Sequence, residues 1–153
     1  MQKTFNPPIS LTPIQLAWLA GITDGEGCIH IHKTKANPKK GEITTKYCLR
    51  LRIAMTSRET IKHIQTIVGF GNFYTRKPQK KTYRTQYAWE ASSLQASAFL
   101  MMILPYMVTK KEEAQLGIEY MEIPRVFCMK QGISPKILQK RQRIYYALKE
   151  QKR

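Results

Sequence analysis

The segment from Thr12 to Gly27 constrains this chain more than any other, because it runs an apolar helix into two carboxylates bracketed by glycines. Thr12 is suited to cap a helix N-terminus, and Pro13 fits the first helical position, where its missing N–H costs nothing. Ile14 through Ile22 is apolar and helical in habit, and the glycines beyond it are expected to stop the helix. Ala17, Ala20 and Gly21 are small and spaced three and four apart, so one face is nearly bare and suits close packing against a second helix. The negative end of the helix dipole falls at Asp24, Gly25 and Glu26, which favours a cation. Carboxylate oxygens are the ligands that hard divalent ions such as magnesium prefer. A metal at this terminus is one reading; a glycine-closed helix end with two solvated acids is the other.

Beyond Gly27 the period changes from helix to strand. Ile29 and Ile31 alternate with Cys28, His30 and His32, and Tyr47, Leu49, Leu51, Ile53 and Met55 alternate with Lys46, Cys48, Arg50, Arg52 and Ala54. Both segments read as strands with one buried face, joined into a hairpin by the basic loop 34–42. Ser57 caps a helix carrying Ile61, Ile64, Ile67 and Val68, which Gly69 ends. A second hairpin follows, with strands at about Asn72 to Arg76 and Tyr83 to Ala91. Phe73, Tyr87 and Trp89 lie on its apolar parity and Asn72, Tyr74, Arg76, Arg84 and Gln86 on the other. Further helices are expected from Leu94 to Leu104, broken by Pro105, from Lys110 to Glu122, and from Ser134-Pro135 to about Glu150.

Charge narrows the partners. With 26 Lys and Arg against 10 Asp and Glu, the chain carries +16, a field that concentrates polyanions, and nucleic acid ranks above an anionic membrane surface. The length of 153 residues suits one domain. No apolar run approaches the roughly 20 residues that span a bilayer, and the N-terminus lacks a secretory stretch. The expectation is an intracellular protein, in a prokaryotic cytoplasm or an organelle. Cys28, Cys48 and Cys128 are odd in number and widely spaced, which indicates neither a disulfide framework nor a zinc site.

At Leu19, Ala20, Gly21, Asp24 and Gly27, with Gly25 and Glu26 as common variants, the sequence resembles the LAGLIDADG homing endonucleases. The motif occurs once; Leu116-Gly117-Ile118-Glu119 lacks the closing pattern of a second copy. The resemblance therefore implies the single-motif, homodimeric branch, commonly intron-encoded, with an α+β fold of order αββαββα. In that fold a curved four-stranded antiparallel sheet lays its concave face in the DNA major groove. The family further implies site-specific, metal-dependent cleavage of a long pseudo-palindromic duplex, leaving 3′ overhangs. Motif helices would pair across the dimer through Ala17, Ala20 and Gly21. Glu26 would be the catalytic acid, binding magnesium or another divalent cation with help from the Gly25 carbonyl, while Asp24 would support the motif turn. Lys110, five residues after Pro105 in a Leu-Pro segment, resembles the family's active-site lysine, with Lys111 as its rival.

The charged parity of the two hairpins fits that use. His30, His32, Lys46, Cys48, Arg50, Arg52, Asn72, Tyr74, Arg76, Arg84 and Gln86 are the candidate DNA contacts, since arginine bonds bidentately to guanine O6 and N7. About ten residues at roughly 3.3 Å each span about 33 Å, one turn of B-DNA, so two copies cover about two turns. His30 and His32 share a face, but no third ligand completes a zinc site. Lys136, Lys140, Arg141 and Arg143 form either a phosphate-contacting helix or a basic solvated face. Family members often hold the hydrolytic water with a polar residue near the end of the second strand, where Met55 stands here and Thr56 or Arg58 are substitutes. A nuclease-inactive module or RNA maturase is the alternative function, and a small structural RNA-binding protein a third.

Overall fold

The computed structural model describes residues 5–37, 39, 45–124 and 134–152; Cys128 lies outside them. The first helix, α1 (Pro13–Glu26), opens on a reciprocal capping box: the Gln15 N–H donates to Thr12 Oγ1 at 3.2 Å and the Thr12 N–H to Gln15 Oε1 at 2.9 Å. Contrary to the expectation from its glycines, α1 does not stop near Ile22. It continues one turn through Asp24, Gly25 and Glu26, because contacts from elsewhere in the chain hold that turn, and ends at Gly27. There the backbone turns straight into β1 (Gly27–Thr34), and the Gly27 N–H donates to the Thr23 carbonyl. A Cβ at Gly27 would sit 2.5 Å from that carbonyl oxygen, so the glycine answers a close approach.

β1 pairs antiparallel with β2 (Lys46–Met55), β2 with β4 (Gln86–Ser92), and β4 with β3 (Asn72–Arg76), giving the sheet order β1-β2-β4-β3. The helix α2 (Arg58–Val68) joins the two hairpins; Ser57 caps its start, and Gly69, at φ 76°, supplies the left-handed residue that ends it. The strand predicted from Tyr83 begins only at Gln86. β3 stops at Arg76, which pairs with Gln86, so residues 77–85 have no strand to join. Pro78 lacks a donor, and Lys77, Lys80, Lys81 and Arg84 repel one another there.

Helices α3 (Leu94–Ile103), α4 (Lys111–Glu122) and α5 (Pro135–Glu150) complete the described chain, with a 3-10 turn at Leu104–Tyr106. One face of the sheet, carrying Ile29, Ile31, Leu49, Leu51, Ile53, Trp89 and Ala91, is buried against the helices through Leu19, Ile61, Ile64, Phe99, Leu100 and Ile103. Burying each large side chain contributes about 1.5–3 kcal/mol. Trp89 keeps its indole N–H satisfied by donating to the Phe70 carbonyl at 2.8 Å. Among the described residues no helix covers the opposite sheet face. The α+β architecture and element order are those expected. Among the described residues no helix is long and apolar enough to cross a membrane.

Candidate nucleic-acid interface and active site

The open face of the sheet gathers the alternate residues of all four strands. The register sets His30 opposite Arg50, His32 opposite Cys48 and Thr34 opposite Lys46. Farther across, Arg52 stands opposite Glu90 and Glu90 opposite Asn72, while Tyr74 faces Ala88 and Arg76 faces Gln86. The proposed contacts His30, His32, Lys46, Cys48, Arg50, Arg52, Asn72, Tyr74, Arg76 and Gln86 therefore share one surface. Arg84 does not belong to it, because it lies in the turn before β4. The turn forms a basic recess of about 260 Å³ with Arg76, Lys77, Lys80, Tyr83 and Gln86. Arg50 and Arg52 are half-buried, and the Nε atom of each is buried without a hydrogen-bond partner among the described residues.

Glu90, which the strand pattern does not single out, sits at the middle of this cationic face with its carboxylate 3.8 Å from Arg50 Nη1. Its parity with Gln86 was the signal available. Cys28 is exposed on the same side of β1, its Sγ 3.8 Å from His30 Nδ1 and 3.3 Å from Lys152 Nζ. The hydrogen bond with His30 first, and the Lys152 charge after it, outweigh burial and lower the Cys28 thiol to about 7. Cys48 Sγ lies 3.3 Å from Ser93 Oγ.

At the head of the open face stands the end of α1. Asp24 turns inward: Oδ2 accepts the Val108 N–H at 2.8 Å and Oδ1 the Lys110 N–H at 2.9 Å. Burial raises the Asp24 carboxyl, but the backbone donors of Lys110, Val108 and Thr109, with the Lys110 charge, outweigh it and hold the group below its ordinary value. The Lys110 ammonium donates to the Asp24 carbonyl at 2.7 Å and lies 3.4 Å from that of Thr23 and 3.5 Å from that of Gly25. A lysine thus meets the negative end of the helix dipole directly. Glu26 is exposed and, among the described residues, its side chain makes no hydrogen bond or ion pair. Met55 packs on the buried face of β2, and exposed Thr56 follows it.

The bare face of α1 differs from the one expected. Ala17 and Gly21 are exposed, but Ala20 is fully buried in the chain's own core and is not available to a second copy. At 3.6 residues per turn it lies roughly a third of a turn from the exposed stripe. That stripe is Ile14, Ala17, Trp18, Gly21 and Gly25; Ile14 is 83% and Trp18 38% exposed, and a Cβ on either glycine would meet nothing within 4 Å. Val108, 84% exposed, stands beside the helix end. Size patterning cannot tell which side of a helix its own fold covers, so Ile14, Trp18 and Val108 escape a reading by small residues.

The family model described as LAGLIDADG endonuclease matches residues 19–120, well over half of the sequence. The chain belongs to the LAGLIDADG endonuclease family. Among solved structures, the chain is similar to the homing endonuclease I-CvuI in complex with its target in the presence of 2 mM Ca, with a TM-score of 0.70, 20% identity, and coverage of 90% of this chain and 81% of that one. The archaeal intron-encoded homing endonuclease I-Vdi141I, complexed with DNA, matches with a TM-score of 0.70 at 15% identity over 90% of this chain and 83% of that one. The LAGLIDADG homing endonuclease I-LtrWI, bound to target DNA, matches at 0.65 and 17%, over 94% of this chain but 47% of that one. A comparison with curated proteins gives no match. At these identities the structures speak to the fold, which this LAGLIDADG chain shares.

Proposed function

We propose that this LAGLIDADG protein is a site-specific endonuclease that binds duplex DNA as a homodimer and hydrolyses both strands with a divalent cation, leaving 3′ overhangs. One observation carries the reading: Glu26, a carboxylate with no partner among the described residues, ends a helix whose outer stripe is small and apolar, at the head of an open cationic sheet face. Pairing two such stripes brings two Glu26 side chains together while each sheet extends outward along about one turn of duplex. I-CvuI and I-Vdi141I, both solved with DNA, support the choice of partner.

The donors suit a hard cation. Glu26 offers carboxylate oxygens that have no partner among the described residues and Gly25 a carbonyl, oxygen ligands that would hold a magnesium ion together with water and the substrate phosphate. A divalent cation held there by Glu26 and the Gly25 carbonyl would supply an activated water and charge for the leaving oxygen. Lys110, held on the carbonyls of Thr23 to Gly25, sets a fixed positive charge beside the phosphate, and Asp24 keeps Lys110 and the helix end in register. The sheet face fixes where on the duplex the two carboxylates act.

The test incubates wild type and Glu26→Gln with a pool of genomic DNA in magnesium and sequences every new double-strand end. Recurrent staggered ends on one pseudo-palindrome, absent with the variant, are expected. Full cleavage by Glu26→Gln overturns the assigned acid. Duplexes bound in calcium but cut by neither protein favour the second reading, a binding module or RNA maturase, for which a partly buried Met55 packed against the core is the supporting observation.

A further inference from the structure

We propose that Glu90 and Arg50 form a reading pair that selects one G·C base pair in each half-site, a specificity that rests on the duplex-DNA reading above. Glu90 is the one acid among the described residues that point onto the open sheet face. It stands on β4, one of the two central strands, opposite Arg52 on one side and Asn72 on the other. An acid there is repelled by phosphates, which carry only acceptors. The floor of the major groove differs, because cytosine N4 and adenine N6 present donors. A central strand of a sheet seated in the groove meets that floor, whereas the edge strands meet its phosphate walls.

The geometry leaves both partners free to read. Glu90 Oε1 and Arg50 Nη1 are 3.8 Å apart, close enough to orient one another and too far for a hydrogen bond that would consume either group. Arg50 is 37% exposed and Glu90 19%, so both heads reach the open face. The Arg50 Nε is buried and has no hydrogen-bond partner among the described residues, while Nη1 lies on the Glu90 side of the open face. Guanine offers O6 and N7 as a paired acceptor for the Arg50 guanidinium, and the cytosine of the same pair offers N4–H to the carboxylate. Adenine lacks the double acceptor and thymine lacks the donor, so neither orientation of an A·T pair satisfies both residues.

Register also gives the position. Glu90 lies level with Arg52 and Cys28, and Arg50 with His30, two and four residues beyond Glu26. At roughly 3.3 Å per residue against 3.4 Å per base step, the selected pair lies about two to four base pairs outward from the cleaved phosphate.

The experiment is selection from a randomised duplex library in calcium with wild type, Glu90→Ala, Glu90→Gln and Arg50→Ala, with circular dichroism to establish that each folds. Wild type is expected to require G·C at one symmetric position, by about tenfold or more. Glu90→Ala should weaken the preference at that position to what Arg50 alone gives through guanine while the rest of the motif persists, Arg50→Ala should weaken it as well, and Glu90→Gln should admit adenine there. An acid that merely offsets neighbouring charge would behave otherwise: its removal would raise affinity for all duplexes and steepen the salt dependence with the motif unchanged, and that result overturns the pair. A motif without G·C in that window overturns it equally. A wild type that enriches no duplex at all overturns the duplex reading and this pair with it, whereas an enriched motif untouched by Glu90→Ala overturns the pair alone.

Discussion

Asp24 and Glu26 differ by two positions and by everything that surrounds them. Asp24 is consumed by the backbone N–H groups of Val108 and Lys110, while Glu26 projects free of partners among the described residues. The different roles expected of the two acids come from the family resemblance, since their order alone reads equally as two metal ligands or two solvated acids. The partners of Asp24, more than eighty residues away, are not legible without the fold. Because the native Asp24 carboxyl titrates below its ordinary value of 3.8, its contribution to stability is complete above that pH. The contribution is lost as pH falls through the lower native value. Asp24→Asn should therefore cost about 1–3 kcal/mol at pH 7, since one of the two backbone donors then meets the amide nitrogen and the other a neutral carbonyl. The gap to wild type should narrow below pH 4. Urea unfolding at both pH values checks this, and an equal gap at both would remove the charge from the argument.

At the scale of elements, half-buried strands announce themselves: the alternation through β1 and β2 gives both the buried face and the open one, because each strand lies on a core with one side only. Helix ends are harder. Gly25 and Glu26 read as a stop by propensity, yet α1 runs through them, because Asp24 and Lys110 tie that turn to the chain after α3. The β4 start is hidden for a similar reason, since Tyr83 and Arg84 alternate well but have no strand opposite. Ala20 is misassigned by size alone; its burial is a property of the packed molecule. What makes the helix-to-strand junction possible is Gly27. Gly27→Ala places a methyl 2.5 Å from the Thr23 carbonyl oxygen and 2.8 Å from its Cγ2, both on a fully buried residue. The junction must open, at about 1–3 kcal/mol. Thermal unfolding should fall by several degrees. DNA cleavage should fall further than duplex binding, since the shift moves Glu26 while leaving the sheet paired. Equal losses of binding and cleavage would place the strain elsewhere.

The whole molecule sets two electrostatic demands against each other. The chain carries +16, so in the proposed dimer two copies would repel as they approach through the α1 stripe, while the same charge draws each toward a polyanion. Salt therefore acts with opposite sign on the two associations. Raising ionic strength shortens the screening length from about 10 Å at 0.1 M toward 3 Å at 1 M, which relieves repulsion between copies and leaves apolar contact at Ile14 and Trp18 intact. The same salt weakens duplex binding steeply through the loss of counterion release. Sedimentation of the free protein should show the dimer strengthening with salt, while binding to a full pseudo-palindromic duplex weakens by about a thousandfold between 50 and 200 mM. Trp18→Glu tests the surface itself. Trp18 is partly exposed, and its described ring contact is with His63 on the neighbouring helix, so the variant should keep the fold. It should sediment as a monomer at every salt concentration, bind a half-site duplex as wild type does, and lose cleavage of the full site. A Trp18→Glu protein that cuts the full site at the wild-type rate would show that the two acids meet by some other face. A wild type that stays monomeric on the full duplex would remove the second copy from the mechanism.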